Sequence, residues 1–552
     1  MFRKTATDKQ YGIFNNILGM LNGSARKHYE DTESWHNLFR KDVFSQVDES
    51  IFSVLFDKEM GAPNVSVRTV LSMMVLKEGF GWSDSQLFEQ CHFNLLVRGA
   101  IGLVNIDDKV LAESTYYLFR KRVHEYCKKN GVDLIEKTFQ AITKAQAIEF
   151  NVSGKSIRMD SKLIGSNVAW CSRYELIHET ISHFCHNANQ KLMNLLSEKE
   201  REQIGLICKE KGEKVVYRSN REDIQKHLLE LGILMYKLTQ IFDTSSGECY
   251  AILCRVFSEQ YKIESEQVVL RPKEELQAEN VQTPHDTDCT YRKKAEQEIK
   301  GYAVNLTETC DKGSLNLITG VQVENASAAD NEFVDPGVSN TVEIFDRIPE
   351  NLHTDGAYHS PLNASFCEAA DINFYCTGMQ GSTGRFDLRM TEDGLVVTDT
   401  KTGEIIPCEK LKSGSWKIET TEGYRYFSPE QIDTCERRRT IEELPAKIKN
   451  IRNNVEASIF QLSFHTRNNK TRYRGIIKHK LWATMRCLWI NFRRIVKWVG
   501  KVCPKILKSL SSFSFILFFP VLIFLIQLFD QLFIPKVSWA KRKPILCENY
   551  CF

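Results

Sequence analysis

The chain has 552 residues, enough for roughly three to four domains at about 150 residues each. Hydrophobic residues make up 42% and charged residues 26%, with only 29 Gly and 13 Pro, which excludes collagen-like and low-complexity chains. The net charge is only +3, but residues 457–529 hold 13 Lys or Arg and no Asp or Glu, a basic stretch suited to a polyanion or an anionic membrane surface.

Residues 1–150 read as helical. Val67-Arg-Thr-Val-Leu-Ser-Met-Met-Val-Leu-Lys77 carries an apolar face of helical period. Gly79-Phe-Gly-Trp82 is expected to break it, and Ser83 or Asp84 to cap a next helix through Leu87, Phe88 and Cys91. Ser114 opens a further helix that ends in the basic cluster Arg120, Lys121 and Arg122. Short helices with tight turns and a basic last member fit either a helix-turn-helix DNA reader or an all-helical packing domain. A strand-like run, Ser156-Ile-Arg-Met-Asp160, then closes on a carboxylate. Helical, highly charged sequence fills about 172–278. Gly301 to Thr309, the turn Asp311-Lys-Gly313 and Leu315 to Val323 read as a β-hairpin. Short strands with frequent turns occupy 371–430, and a basic helix starts near Ala446 and breaks near Asn468. Beyond it, Arg467, Lys470, Arg472, Arg474, Lys478 and Lys480 alternate with Tyr473, Trp482 and Trp489. That mixture suggests phosphate contacts with aromatics free to stack on unpaired bases, the alternative being a solvated helix face with its aromatics in the core. Last, Ser509 to Phe529 is 21 residues without a charge, long enough to span a bilayer.

The 17 cysteines are thinly spread and contain no Cys-x-x-Cys pair, and Met1 to Gln10 has no apolar core of a signal peptide. Reduced thiols in a cytosol are the expectation. Cys367, Cys376, Cys408 and Cys435 are either a metal set or ordinary buried thiols.

Three carboxylates stand out by context. Asp160 closes the first strand, Asp355 lies in Leu352-His-Thr-Asp-Gly-Ala-Tyr358, and Glu456 sits on a helix with Val455, Ile459 and Leu462 on one side. Two Asp at neighbouring strand ends and a Glu from a packed helix are able to converge on Mg²⁺ or Mn²⁺, which prefer hard oxygen ligands. The bland alternatives are an Asp355 that shapes a turn and a Glu456 that pairs with Arg452.

Together these blocks carry a resemblance. Met159-Asp-Ser-Lys-Leu-Ile-Gly-Ser-Asn167, His353-Thr-Asp-Gly-Ala-Tyr358 and Arg452-Asn-Asn-Val-Glu456 resemble the catalytic blocks of DDE-type transposases of bacterial insertion sequences. Arg472-Tyr-Arg-Gly-Ile-Ile-Lys478 with Asn491-Phe-Arg-Arg494 is similar to that group's C-terminal signature. Gly61-Ala-Pro63, Lys77 to Asp84, and Ser114 to Arg122 are similar to its N-terminal helical domain. Thr283-Pro-His-Asp-Thr-Asp288 with Gly301-Tyr302 matches the block before its hairpin. The resemblance spans about residues 50–500. It departs at Lys449, where the group often has Tyr, at Ser463, where it often has Lys, and in a cysteine cluster reduced to single residues.

The resemblance implies an α/β fold: an RNase H-like catalytic core with a helical insertion, preceded by an all-helical N-terminal domain. The implied map runs 1–150 for helical DNA binding, 151–171 for the first core strand and 172–278 for the insertion. It continues with 279–370 for the hairpin and second Asp, 371–440 for loops and short strands, 441–500 for the catalytic helix and basic extension, and 501–552 for an apolar tail. Asp160, Asp355 and Glu456 are the implied catalytic residues and ligands of a two-metal Mg²⁺ (or Mn²⁺) site. Arg120, Lys121, Arg122, Arg452, Arg472, Arg474 and Lys478 are the expected DNA contacts. The expected activity is cleavage and strand transfer of DNA ends by a homodimer bound to terminal inverted repeats, in the cytoplasm at the nucleoid. Two other readings stay open: an RNase H-like nuclease, or a nucleic-acid-binding protein without chemistry, anchored in a membrane through 509–529. The anchored form is the less favoured, since basic residues flank the apolar run on both sides.

Overall fold

A computed structural model describes residues 1–5, 12–57, 59–188, 193–242, 247–294, 296–379 and 384–501. The chain divides into two compact units, Met1–Ile495 and Val496–Phe552. Of the second only 496–501 are described, and these are helical.

The centre of the first unit is a six-stranded sheet. Its middle strand is β1, Ser156–Gly165. A small hairpin, β2 (Tyr261–Glu264) and β3 (Gln267–Leu270), intervenes in sequence but pairs only with itself. β4 (Thr290–Lys294), β5 (Gln297–Thr309) and β6 (Ile318–Asn325) then form antiparallel pairs, with β4 and β6 both on β5. β5 runs antiparallel to β1, setting Asp160 opposite Leu306. On the other side of β1, β7 (Asn351–Thr354) and β8 (Asn373–Cys376) add in parallel. The hairpin, the first strand and the strand before Asp355 thus share one sheet. β8 joins it too, although it falls in the stretch expected to hold only an insertion. From Gly301 to Thr309, β5 is buried without a break, the mark of a strand covered on both faces. Helix Val334–Phe345 and helix Leu134–Glu149 pack near β6. Helix Val455–Ser463 lies over β1 with Val455, Ile459 and Leu462 buried, as its periodicity predicts.

The stretch after β1 is helical: Arg173–Asn187, Glu198–Lys209, Gly212–Arg218, Arg221–Ile241 and Glu248–Gln260. It has its own core, with Ile177, Ile181, Met235, Leu238 and Leu253 inside. Between β8 and helix Val455–Ser463 stand two three-stranded sheets. One is β9 (Phe386–Thr391), β10 (Gly394–Asp399) and β11 (Ile405–Ile406); the other is β12 (Cys408–Lys410), β13 (Trp416–Thr420) and β14 (Gly423–Phe427). They share a core of Phe386, Leu388, Val397 and Ile418, against which Cys408 and Cys435 pack. Cys367 lies in the main core, and the Cys376 thiol faces the Thr354 hydroxyl. These four are ordinary packed thiols, and no cluster of three metal-ligating residues occurs among the described residues.

Residues 1–150 contain helices and no strand among the described residues. Helix Val67–Phe80 is buried along nearly its whole length, so it is the core of this region rather than an amphipathic surface helix. Ser66 caps it. Gly79 lies inside it, and the break comes at Gly81, whose φ of 73° closes the helix in the left-handed region. Ser83 then forms a reciprocal capping box with Gln86. The next long helix, Glu113–Asn130, starts on Ala112 without a side-chain cap, so Ser114 is not its cap. No described helix is long and apolar enough to cross a membrane, and 509–529 lies outside the described residues.

Candidate active site

β1 does not end at Asp160 but continues to Gly165, so Asp160 projects from mid-strand. Asp355 follows β7 directly and precedes the short turn Gly356–Tyr358, yet its side chain makes no capping hydrogen bond. The carboxylate is not spent on the turn. Gly356 is required there, since a Cβ would lie 1.9 Å from the Gly378 carbonyl oxygen. Glu456 stands in the first turn of helix Val455–Ser463, and Arg452 in the last turn of helix Ala446–Asn453.

The three carboxylates meet at one guanidinium. Arg452 Nη2 is 3.3 Å from Asp160 Oδ2 and 3.6 Å from Asp355 Oδ2, and Nη1 is 3.9 Å from Glu456 Oε1. Residues far apart in sequence are therefore gathered around one side chain. Exposure rises outward across the set, from 15% for the Asp160 side chain through 45% for Asp355 to 64% for Glu456. Burial pushes the Asp160 carboxyl above the usual carboxylate range, and the Arg452 charge and the Ser161 amide pull it back in part. Beside it, burial drives His353 down to about 4, helped by Arg158, so this imidazole is neutral at working pH.

The donor set is three hard carboxylates, the type that suits Mg²⁺ or Mn²⁺. With Arg452 in their midst they do not close on a common ligand point. Arg452 Nε is buried without a hydrogen-bond partner, so the guanidinium loses no bond at that atom when it turns aside. The three residues fit a divalent ion in type, while in this arrangement Arg452 occupies the space between them.

The frame behind these side chains escaped the sequence reading. Glu308 on β5 is completely buried, with Arg158 Nη2 at 2.5 Å from Oε1 and Arg494 Nη2 at 2.6 Å from Oε2. Ser458, two residues after Glu456, donates to Oε2 at 2.5 Å, and Arg158 also donates to the Ile451 carbonyl at 2.8 Å. Burial alone would raise the Glu308 carboxyl, but Arg494 and Arg158 outweigh it and hold it low. One carboxylate thereby ties β1, β5 and both helices of the site. Lys162 was missed as well. It stands two residues after Asp160, on the same strand face, and donates to Ser463 Oγ at 2.8 Å. Burial lowers its pKa, and it makes no ion pair among the described residues. The i, i+2 spacing from Asp160 was the available signal.

The expected DNA contacts fall into two groups. Lys121, Arg472, Arg474 and Lys478 are exposed. Arg472 donates to the carbonyls of Trp82 and Gly81 at 2.7 and 2.9 Å, and Arg474 to that of Asn167 at 2.7 Å. Backbone carbonyls hold these two guanidiniums without cancelling their charge. Arg120 instead points inward, 3.7 Å from Asp84 and over the rings of Tyr116 and Tyr473. Arg122 packs over Phe56. Arg120 is thus a packing residue and not a free phosphate contact. The aromatics need the same correction: Tyr473, Trp482 and Trp489 are all buried, so none is free to stack on a base. Their amphipathic surroundings put them in the joint between the N-terminal helices and the helix that begins at 476. Lys77 donates to the Tyr473 hydroxyl at 3.2 Å, and Arg486 donates to Glu78 O and Gly79 O at 2.7 and 3.0 Å.

Comparison with known families decides the broad class. Residues 27–122 match the family model described as Transposase domain (DUF772). This stretch is thus similar to a transposase domain. The matched stretch covers the helical region from Lys27 to Arg122, including the buried helix Val67–Phe80 and the capped turn after it. No curated protein and no solved structure matches the chain. The matched helices and the three carboxylates belong to one compact unit.

Proposed function

We propose that the chain is a DDE-type transposase with an RNase H-like core, in which Asp160, Asp355 and Glu456 hold two Mg²⁺ or Mn²⁺ ions. The observation that carries this reading is the convergence of those three carboxylates on the Arg452 guanidinium. The sheet supports it: a central first strand, an antiparallel hairpin on one side and parallel strands on the other, with the Glu-bearing helix across it. Bound there, the ions supply Lewis-acid activation of the attacking oxygen and stabilise the leaving one.

The chain's own groups do the rest. Water attacks the phosphorus at the element boundary and the bond to O3′ breaks. That leaves a 3′-hydroxyl on the element and a 5′-phosphate on the flank. The 3′-hydroxyl then attacks a target phosphodiester, exchanging one P–O bond for another. Arg452 holds the phosphate with its planar fork. Lys162 adds a second cation from the strand that carries Asp160. The N-terminal helices recognise the terminal inverted repeats, with Lys121 on their surface, and two copies assemble on paired ends at the nucleoid. The exposed Arg472, Arg474 and Lys478 grip the DNA backbone without regard to sequence.

The test is incubation of the protein with DNA spanning the flanks of its coding sequence. Breaks with 3′-hydroxyl ends at the element boundaries are expected with Mg²⁺ and none with EDTA. Binding to this DNA without any strand break in Mg²⁺ or Mn²⁺ overturns the proposal.

A further inference from the structure

Helix Val455–Ser463 has an unused face. Glu456, Phe460 and Phe464 follow one another at intervals of four, which places them in line along the helix surface. The opposite face is the buried one, with Val455, Ile459 and Leu462. Phe460 and Phe464 are each 62% exposed, and their rings meet edge to face with centroids 5.8 Å apart and planes at 67°. His465 meets Phe464 edge to face, with centroids 5.0 Å apart, and the two phenyl rings otherwise stand in water beside a charged site.

What lies past the rings identifies the occupant. Directly after Phe464 opens a cavity of about 400 Å³ lined by His465, Arg467, Lys470 and Arg472. Its acidic residue, Glu78, is already taken by the hydroxyl of Tyr473. Arg467 makes no ion pair among the described residues. Lys470 and Arg472 donate to backbone carbonyls. The positive charge of this cavity therefore stands unneutralised, which suits phosphates and disfavours an apolar protein segment. From Glu456 to Phe464 the helix rises about 12 Å at 1.5 Å per residue, the length of three to four base steps at about 3.4 Å each.

We propose that Phe460 and Phe464 form a platform on which the unpaired bases of a DNA end stack. The cavity at Arg467, Lys470 and Arg472 receives the phosphates of the same strand. The inference rests on the transposase chemistry above and adds a place for the bases next to the scissile phosphate. Stacking on Phe tolerates any base, because every base offers a π-face. The platform therefore grips an opened end whatever its sequence, while recognition stays with the N-terminal helices.

The experiment uses the full chain and a forked duplex with three unpaired nucleotides, one of them 2-aminopurine, whose fluorescence is quenched on stacking. Calcium replaces magnesium so that binding is read without cleavage, and circular dichroism checks that each variant is folded. Wild type should quench the probe. The double variant Phe460→Ala/Phe464→Ala should lose most of the quench and bind the forked end about tenfold more weakly, with little change on a fully paired duplex. Phe460→Leu/Phe464→Leu, which keeps the apolar bulk, should behave like the alanine pair, whereas Phe460→Trp should quench. Wild-type quench and affinity in either the alanine or the leucine pair overturns the platform. So does a loss confined to oligomeric state, which marks the rings as a contact between copies. If wild type cleaves DNA in Mg²⁺ while the alanine pair quenches normally, the platform fails and the transposase reading stands. If wild type neither binds the fork nor cleaves, the transposase reading itself fails.

Discussion

Arg452 is the residue on which the site turns. Its charge lowers the Asp160 carboxyl, which burial would otherwise lift further. Asp160 must be ionised to hold a cation, so cleavage is lost as pH falls through a value above that of an ordinary Asp. Arg452→Ala removes the charge that lowers this value. Its acid limb should move to higher pH, and its rate at the plateau should fall about a hundredfold, the usual effect of losing one preorganised electrostatic group. Arg452→Lys should leave the acid limb near its original place while recovering only part of the rate, because the bidentate fork is gone. A pH profile of cleavage for the three proteins checks both. A second residue acts on stability alone. Asp42 is fully buried, neither of its carboxylate oxygens has a hydrogen-bond partner, and burial pushes it up to about 7. A raised value means the folded state holds the proton. Ionising Asp42 therefore costs stability progressively as pH climbs from the usual carboxylate range through about 7. Asp42→Asn should leave Tm unchanged near pH 4 and raise it by a few degrees above pH 7, measured by thermal melts across that range.

At the scale of elements, Glu308 shows what the sequence did not reveal. Asp160, Asp355 and Glu456 were legible because each sits in a short block whose neighbours give its context: a strand, an Asp-Gly turn, a helix face. Glu308 is one of 70 acidic residues, and its partners Arg158 and Arg494 come from 150 and 186 positions away. Only the paired strands bring them together. Removing one partner of a buried ion pair leaves the others uncompensated. Glu308→Ala should thus destabilise the unit by about 3–5 kcal/mol, read from denaturant melts, and Glu308→Gln by less. The hairpin and the Ser83 cap were readable for the opposite reason, since alternation, turn chemistry and Ser-x-x-Gln spacing are local signals. Burial is not local. A basic, aromatic run read as open surface became a core joint at Tyr473, Trp482 and Trp489, because helix Val67–Phe80 packs on it from almost 400 residues away. β8 falls in a stretch read as short strands, but its place in the central sheet was not legible, because β7 supplies the pairing.

Across the whole molecule the charge asymmetry underlies the proposed DNA contacts. The basic stretch after Ala457 is only partly a surface: Arg486 and Arg494 are spent inside, while Arg467, Arg472, Arg474 and Lys478 remain outside. Arg467→Ala and Lys478→Ala should each reduce the slope of log Kd against log salt by about 0.9, the counterion release of one phosphate contact. Arg120→Ala should leave that slope unchanged and lower Tm instead, since its partners are Asp84 and two aromatic rings. These variants dissect the proposed grip on DNA, whereas the proposed chemistry rests on three carboxylates gathered from β1, the end of β7 and the helix Val455–Ser463. The direct measurement is strand cleavage of DNA carrying the element's ends, in Mg²⁺, by wild type and by Asp160→Ala, Asp355→Ala and Glu456→Ala, with end binding followed in the same samples. The account predicts that each variant binds the ends and that each loses cleavage by a factor of a thousand or more. Near-normal cleavage by any one of the three contradicts it.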